Sequence, residues 1–228
     1  MKKHGKRYQE ILSQIDKTKT YSLTEALDLV LSSGKEKFDS SVEVHLNLGI
    51  DPKKSDQQLR STITLPHGTG KTKKIAAFVP SDKEADARTA GADIVGGEEL
   101  IAEIKKTEKT DFDVAIATPD MMPKLAAIAK ILGTRGLMPS PKNETITTNI
   151  KKTVEELKKG KITFKNDATS NIHQIIGKVS FGKEKLTENF NAFIESVKKA
   201  KPSSSKGTYI KSITVCTAMG PGIRINAA

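Results

Sequence analysis

The sequence has little of several residue types that binding and catalytic sites often need. Cys216 is the single cysteine, which excludes intramolecular disulfides and cysteine-based zinc sites and favours a reducing cytoplasm. Tryptophan is absent and aromatic residues make up 4% of the chain, which argues against recognition built mainly on base-stacking platforms. No apolar run reaches the roughly 18 residues that a membrane helix needs, so we expect no membrane partner.

Positive charge is plentiful but unevenly placed along the 228 residues, whose formal net charge is +11. Residues 75–150 hold nine Lys/Arg and twelve Asp/Glu, whereas the two flanking segments together hold 29 basic and 15 acidic residues. The simplest arrangement is a basic domain made from both chain ends, with a second domain inserted into it. Such a domain can bind nucleic acid, because neutralised phosphates release counterions. Lysines also simply solubilise a fold, and charge alone leaves both interpretations open.

The hydrophobic pattern supports the same division. Alternating apolar residues predict a strand over Phe38–Ile50 with one core face and one polar face, and Leu59–Leu65 is predicted as its antiparallel return strand. From Ile75 to Leu132 short strands and helices alternate, which predicts a small parallel sheet covered by helices. The first pattern returns after Gly160. The predicted fold class is α/β and α+β, with a discontinuous α+β domain over 1–67 and 160–228 and an inserted α/β domain over 68–159.

The segment Gly68–Thr72 (GTGKT) contains the Gly-Lys-Thr of a phosphate-binding loop. The full motif needs another glycine five positions before Gly70, and Leu65 stands there. The segment is therefore interpreted as a hinge between domains. The four histidines are scattered without metal-ligand spacing, and no nucleophile lies in a catalytic elbow. We expect no enzyme, no cofactor and no metal site.

Two glycine-containing loops are candidate contact surfaces. In Thr217–Gly222 (TAMGPG) the glycines can bare backbone amides to a ligand, and Gly133–Pro139 (GTRGLMP) is a long loop with one arginine. Each can also be an ordinary connection between two elements, and for Thr217–Gly222 taken alone that explanation is favoured.

Seven short segments follow one another along nearly the whole chain: KFDSSVE (37–43), GIDPKKSDQQ (49–58), LPHGTGK (65–71), GAD (91–93), GTRGLMP (133–139), GKVSF (177–181) and TAMGP (217–221). Together they resemble the ribosomal large-subunit protein one family, in its bacterial form. Any one segment is a weak signal, whereas all seven in family order are highly specific.

The resemblance implies two domains, one made from both termini that binds ribosomal RNA and an inserted three-layer, Rossmann-like α/β domain. It implies a non-enzymatic, cytoplasmic constituent of the large ribosomal subunit that binds 23S rRNA at the mobile stalk and assists release of deacylated tRNA from the exit site. Off the ribosome, it implies a monomer that binds its own operon mRNA and represses translation.

The RNA contacts that the resemblance implies come from the terminal domain. They are Lys37, Phe38, Ser41, Glu43, Lys165, Asp167, Lys178, Ser180, Thr217, Met219 and Gly220. Hydroxyls, glycine amides and a carboxylate can pair with ribose 2′-hydroxyls and base edges, and lysines supply a salt-dependent attraction. Phe38 and Met219 could instead be core residues, and Glu43 could belong to a solvated strand face.

Two other functions stay open from the residues alone. One is an enzyme with a small-molecule site in the middle domain near Gly96 and Gly97 or the Gly136 loop, although no acid–base or metal cluster lies in that segment. The other is a general basic, chaperone-like RNA binder, which would have no preference among RNAs.

Overall fold

The computed structural model describes residues 5–16, 18–34 and 36–226. The chain forms two compact units: unit 1 is Met1–Gly70 with Thr163–Ala228, and unit 2 is Lys71–Ile162. Residues 68–70 therefore lie in unit 1 and residues 160–162 in unit 2. The predicted boundaries instead put residues 68–70 in the inserted domain and residues 160–162 in the terminal domain. The first difference has a clear cause, because the carbonyl of Gly68 accepts a hydrogen bond from Asn189, at 2.9 Å.

The charge contrast between the two units is smaller than the contrast between the segments. Unit 1 holds 21 Lys/Arg and 13 Asp/Glu, a net of +8, and unit 2 holds 17 and 14, a net of +3. The difference arises because the lysine-rich stretches on either side of residues 75–150 fall inside unit 2. Unit 1 is still the more basic of the two.

The described elements follow one another in a mixed α and β order. In chain order they are α1 (Lys6–Ser13), α2 (Leu23–Ser33), β1 (Ser41–Leu48), β2 (Arg60–Thr64), β3 (Ile75–Phe78), α3 (Glu84–Thr89), β4 (Ile94–Gly96), α4 (Glu98–Thr107), β5 (Val114–Ala117), α5 (Met122–Leu125), α6 (Ala129–Thr134), α7 (Ile150–Lys158), β6 (Lys161–Lys165), β7 (Asn171–Lys178), α8 (Gly182–Lys199), β8 (Ile210–Thr217) and β9 (Ile223–Ile225).

Unit 1 is built on a four-stranded antiparallel sheet in the order β7-β1-β8-β9. The alternating apolar residues of β1, from Val42 to Leu48, are buried, and α2 and α8 pack on the sheet. The apolar stripe of α8 supplies the opposite side of this core, where Phe193 meets Phe164 edge to face at 5.4 Å. One face of the sheet thus packs against α2 and α8 as part of the core. The other face carries the half-buried polar residues of β1.

The start of α2 is set by a local signal in the sequence. The hydroxyl of Ser22 accepts the backbone N–H of Glu25, and the Glu25 carboxylate accepts the N–H of Ser22. This capping box follows from the sequence Ser-Leu-Thr-Glu at 22–25, and it pairs two amide groups that the first helical turn leaves without partners. The helix ends at Ser33, before Gly34.

Unit 2 is built on a parallel sheet in the order β4-β3-β5. Alternate residues of β3 face two separate apolar clusters. Ala76 and Phe78 pack with residues of α4 to α6, whereas Ile75 and Ala77 pack with residues of α3 and α7. Strands buried on both faces are expected for a parallel sheet whose crossovers are helices.

The prediction that Leu59–Leu65 returns as the antiparallel partner of the first strand is wrong. Both edges of β1 are occupied, by β7 and by β8, and β2 pairs with β6 in a separate two-stranded sheet. The chain does not form a hairpin at Asp51-Pro52, because a 3₁₀ turn over Ser55–Gln57 lies between this point and the start of β2.

Two further 3₁₀ turns interrupt or follow regular elements. A 3₁₀ turn at Ala126–Ile128 separates α5 from α6, and another at Val179–Phe181 follows the end of β7 at Lys178. Among the helices of the described residues, none is both long and apolar enough to cross a bilayer.

Candidate nucleic-acid interface

Three distant chain segments meet at one end of the four-stranded sheet. Because β1 is antiparallel to both of its neighbours, its first residues lie beside the last residues of β7 and β8: Ser41 pairs with Lys178, and Val42 pairs with Thr217. The backbone N–H of Ala218 donates to the carbonyl of Ser41 at 3.0 Å. We call this region, formed by residues 36–41, 178–181 and 217–220, the Ser41 end of the sheet.

Two large apolar side chains are exposed at the Ser41 end. Phe38 is 56% exposed and Met219 is 58% exposed, and among the described residues no other large apolar side chain is as open to solvent. The alternative that both residues belong to the core is therefore wrong. Exposed apolar groups next to cationic side chains suit a ligand that combines flat apolar surfaces with negative charge.

The turn that presents Met219 depends on close packing between Thr217 and Gly220. Thr217 is buried, its hydroxyl lies 3.4 Å from that of Ser33, and its carbonyl accepts the N–H of Gly220 at 3.0 Å. A Cβ atom on Gly220 would lie 2.3 Å from the Thr217 hydroxyl oxygen, so a larger residue cannot enter without displacing buried atoms. Thr217 and Gly220 thus hold the turn in a shape that points Met219 outward.

Asp39 connects the segment before β1 with the segment after β7. Its carboxylate accepts the hydroxyl of Ser180 at 2.8 Å and the backbone N–H of Ser180 at 3.1 Å, and its carbonyl accepts the ammonium group of Lys178 at 3.0 Å. The hydroxyl of Ser180, then its N–H, lower the pKa of Asp39, so the carboxylate stays charged. Lys178 and Ser180 are therefore fixed in position before any ligand arrives.

Arg7, in α1, ties two of these segments together through an ion pair and a hydrogen bond. Its guanidinium lies 2.9 Å from the carboxylate of Glu36, a side chain that is only 3% exposed, and it donates to the carbonyl of Met219 at 3.4 Å. The same carboxylate accepts the hydroxyl of Ser40 at 2.6 Å. Arg7 consequently stabilises the segments that carry both exposed apolar side chains.

Lys165 and Asp167 lie elsewhere in unit 1. Asp167 belongs to the turn before β7, whose first residue pairs with Asn47 near the far end of β1. With a rise of about 3.3 Å per residue, this is roughly 20 Å from the Ser41 end. The Asp167 carboxylate accepts two backbone N–H groups and one hydroxyl of that turn. These hydrogen bonds, above all the one from the N–H of Asn171, hold the pKa of Asp167 well below its usual range.

Glu43 lies between these two places, on the polar face of the sheet, and is half-buried. Its carboxylate lies 3.9 Å from the imidazole of His45. The structure thus places Lys165 and Asp167 away from the Ser41 end, and Glu43 on the polar face between them. The other predicted contact residues lie at the Ser41 end: Lys37, Phe38, Ser41, Lys178, Ser180, Thr217, Met219 and Gly220. Ser41 and Thr217 are buried, so their side chains support the surface from below.

Comparison with known proteins identifies the family to which this chain belongs. A profile of the Ribosomal protein L1p/L10e family matches residues 30–221, a span that includes the whole of the Ser41 end. The chain belongs to this family. The large ribosomal subunit protein uL1 of Mycoplasma capricolum subsp. capricolum is 52% identical over 225 residues, covering 99% of both chains. The uL1 proteins of Solidesulfovibrio magneticus, at 51% over 226 residues, and of Thermosipho melanesiensis, at 50% over 228 residues, cover 96% and 98% of their own lengths.

Membership of the L1p/L10e family confirms the predicted family and makes the chain a ribosomal protein rather than an enzyme. The GTGKT segment fits this conclusion, because a phosphate-binding loop opens a helix, whereas Lys71 leads into β3. The guanidinium of Arg135, in the GTRGLMP loop, donates to the hydroxyl of Thr110 and to the carbonyl of Glu108. That loop is therefore anchored to unit 2 by its one arginine.

Several residues of this L1p/L10e surface were missed by sequence reasoning. Asp39 and Arg7 each bond to a partner more than 100 positions away in the sequence. No local sequence pattern predicts such pairs. The polar face also holds a cluster of His45, His173 and Cys216 that separate strands bring together. Burial, followed by the nearby His173, lowers the pKa of His45.

Proposed function

We propose that the chain is a structural constituent of the cytoplasmic large ribosomal subunit and binds 23S rRNA at the mobile stalk through the Ser41 end of its sheet. The observation that carries the proposal is that Phe38 and Met219 are both exposed at the Ser41 end, where Lys37 is exposed as well, on a surface whose Asp39, Lys178 and Ser180 are already hydrogen-bonded. The names of the relatives, large ribosomal subunit protein uL1, support the same assignment.

The chemistry of this surface fits a folded RNA. Phe38 and Met219 can lie against riboses or unstacked bases, since every base offers an apolar face. Lys37 is exposed and has no structural partner among the contacts of the described residues, so it can neutralise a phosphate. Ser180 is exposed, and its hydroxyl oxygen retains acceptor capacity after donating to Asp39. These groups are suited to recognising the shape of the RNA and its ribose hydroxyls, and less suited to reading a particular base sequence.

The two units have different parts in this proposal. Unit 1 is the RNA-binding domain made from both termini, and unit 2 is an inserted, Rossmann-like domain with helices on both faces of its sheet. Unit 1 is more basic, in keeping with its role. On the ribosome we propose that the protein assists release of deacylated tRNA from the exit site. Off the ribosome it is a monomer that binds its own operon mRNA and represses translation.

The proposal is tested with the full-length chain and three RNAs of equal length. These are the stalk fragment of 23S rRNA, the leader of the chain's own operon mRNA, and an unrelated hairpin, each titrated at two salt concentrations. Tight binding of the first two, at least about a hundredfold over the hairpin, is expected for a specific site. Equal binding of all three would instead support a general basic RNA binder and would refute the proposed function.

The part of unit 1 is tested with a protein that joins residues 1–70 to 163–228. If this protein binds the stalk fragment as the full chain does, the RNA site lies in unit 1. If binding needs unit 2, the assignment of the Ser41 end is wrong. Exit-site tRNA release is measured separately, on ribosomes with and without the protein, and sedimentation of the free chain tests the monomer.

A further inference from the structure

The polar face of the four-stranded sheet carries a compact group of metal-binding side chains. Glu43, His45 and Cys216 place one ligand atom each within 4.8 Å of one another. Nε2 of His45 lies 3.2 Å from Sγ of Cys216 and 3.9 Å from Oε2 of Glu43. Glu43 and His45 are two residues apart on β1, and Cys216 lies directly opposite Glu43 on β8. All three ligands therefore stand on a rigid, hydrogen-bonded support.

A chain of contacts behind His45 orients its ring. The Asp167 carboxylate lies 3.5 Å from Nε2 of His173, which favours the tautomer of His173 with its proton on Nε2. Nδ1 of His173 is then an acceptor, and it lies 2.8 Å from Nδ1 of His45. His45 must donate from Nδ1, so the lone pair of its Nε2 points towards the Cys216 thiol. A ligating histidine is typically held in this way, by a hydrogen bond from its other ring nitrogen.

We propose that Glu43, His45 and Cys216 bind one zinc ion on this face, with water in the fourth position. Sulfur, imidazole nitrogen and carboxylate oxygen are the ligands that Zn²⁺ takes in proteins, and three protein ligands with one open position form a known zinc arrangement. A tetrahedral ion needs an S···N separation of about 3.6 Å and an N···O separation of about 3.4 Å. Both lie within about half an ångström of the observed distances.

Binding exchanges one proton for the metal without any redox step. In the metal-free protein the Cys216 thiol donates to the lone pair of His45 Nε2. When Zn²⁺ enters, the S–H bond breaks, the proton goes to solvent, and the thiolate and Nε2 lone pairs both bind the ion. Zinc affinity should therefore rise with pH, by about tenfold per unit as long as the free thiol is protonated.

From the sequence, the single cysteine argues against cysteine-based zinc sites, and the scattered histidines argue against a metal site. That argument holds for sites made of several cysteines close in sequence. It does not hold for a mixed site, because β1 pairs with both β7 and β8 and thereby brings residues 43, 45, 173 and 216 together.

The test uses the full-length, RNA-free chain after removal of metals with a chelator. Calorimetric titration with ZnCl₂ should show one ion per chain and the release of one proton, read from two buffers with different ionisation enthalpies. Titration with Co²⁺ should produce a thiolate-to-cobalt charge-transfer absorption. Cys216→Ser should remove that absorption and weaken zinc binding about a hundredfold or more, and His173→Ala should weaken it about ten- to a hundredfold, since His173 only positions His45.

His67→Gln is the matched control, because His67 is another exposed histidine of unit 1. The partner of its imidazole is the Glu188 carboxylate, at 2.6 Å, and not a thiol. It should bind zinc as the unaltered chain does. Circular dichroism checks that each variant is folded. The proposal is overturned if the chain binds no zinc, if Cys216→Ser keeps its affinity within about threefold, or if His67→Gln loses as much affinity as His173→Ala.

Discussion

Replacing both exposed apolar residues, Phe38→Ala with Met219→Ala, should damage RNA binding far more than folding. Complete burial of a Phe or Met side chain is worth about 1.5–3 kcal/mol. Slightly more than half of each side chain is exposed in the free protein, at 56% and 58%. If RNA covers those parts, the double variant loses about 2–3 kcal/mol of binding free energy, which is a 30- to 140-fold weaker Kd.

The assay is a titration of the stalk rRNA fragment at several salt concentrations. Loss of apolar contact should leave the slope of log K against log salt unchanged, whereas Lys37→Ala should reduce its magnitude by about 1, since one phosphate contact is lost. Met122→Ala, a partly buried methionine of unit 2, is the matched control and should bind RNA normally. A loss of less than about threefold in the double variant, with the protein folded, would refute the reasoning.

Three further outcomes are expected. Gly220→Ala should weaken RNA binding about tenfold and destabilise the fold by roughly 1–3 kcal/mol, because its Cβ would lie 2.3 Å from the hydroxyl oxygen of Thr217; Gly133→Ala, in α6, where the new Cβ meets no other part of the chain, should leave RNA affinity unchanged and should not lower the urea denaturation midpoint, since alanine is the better helix former. Asn189→Leu should lower the free energy of unfolding by about 3 kcal/mol or more, since it leaves one backbone N–H and two carbonyls without their partners; an unchanged denaturation midpoint would contradict this. The depressed pKa of Asp167 contributes stability above its unfolded value of about 3.9 and loses it as pH falls further, so Asp167→Asn should flatten the decline of unfolding free energy below about pH 5, and equal acid slopes in the two proteins would be inconsistent with this role.

Local features of the fold could be predicted from the sequence because their causes are local. The alternation in β1 fixes which residues face the core, and the Ser22 capping box fixes where α2 begins. Pairing between strands was not predictable in the same way. The partner of Ser41 is Lys178, and nothing in either segment specifies the other, so the nearby Leu59–Leu65 was wrongly chosen.

The candidate site shows the same limit. The resemblance supplied its residues, but their positions decide their roles. Thr217 is buried and supports the turn, whereas Met219 two positions later is exposed. Asp39 could not be found, because its role depends on Ser180 and Lys178, which only the pairing of β1 with β7 brings near.

The central claim, that RNA binds the Ser41 end of the sheet, is tested most directly by amide hydrogen exchange of the full chain with and without the stalk rRNA fragment. The segments 36–40, 179–181 and 218–222 lie outside the strands, so their amides can gain protection that strand amides already have. The account predicts that RNA slows exchange in these three segments together. Protection confined to unit 2, with no change at the Ser41 end, would contradict it.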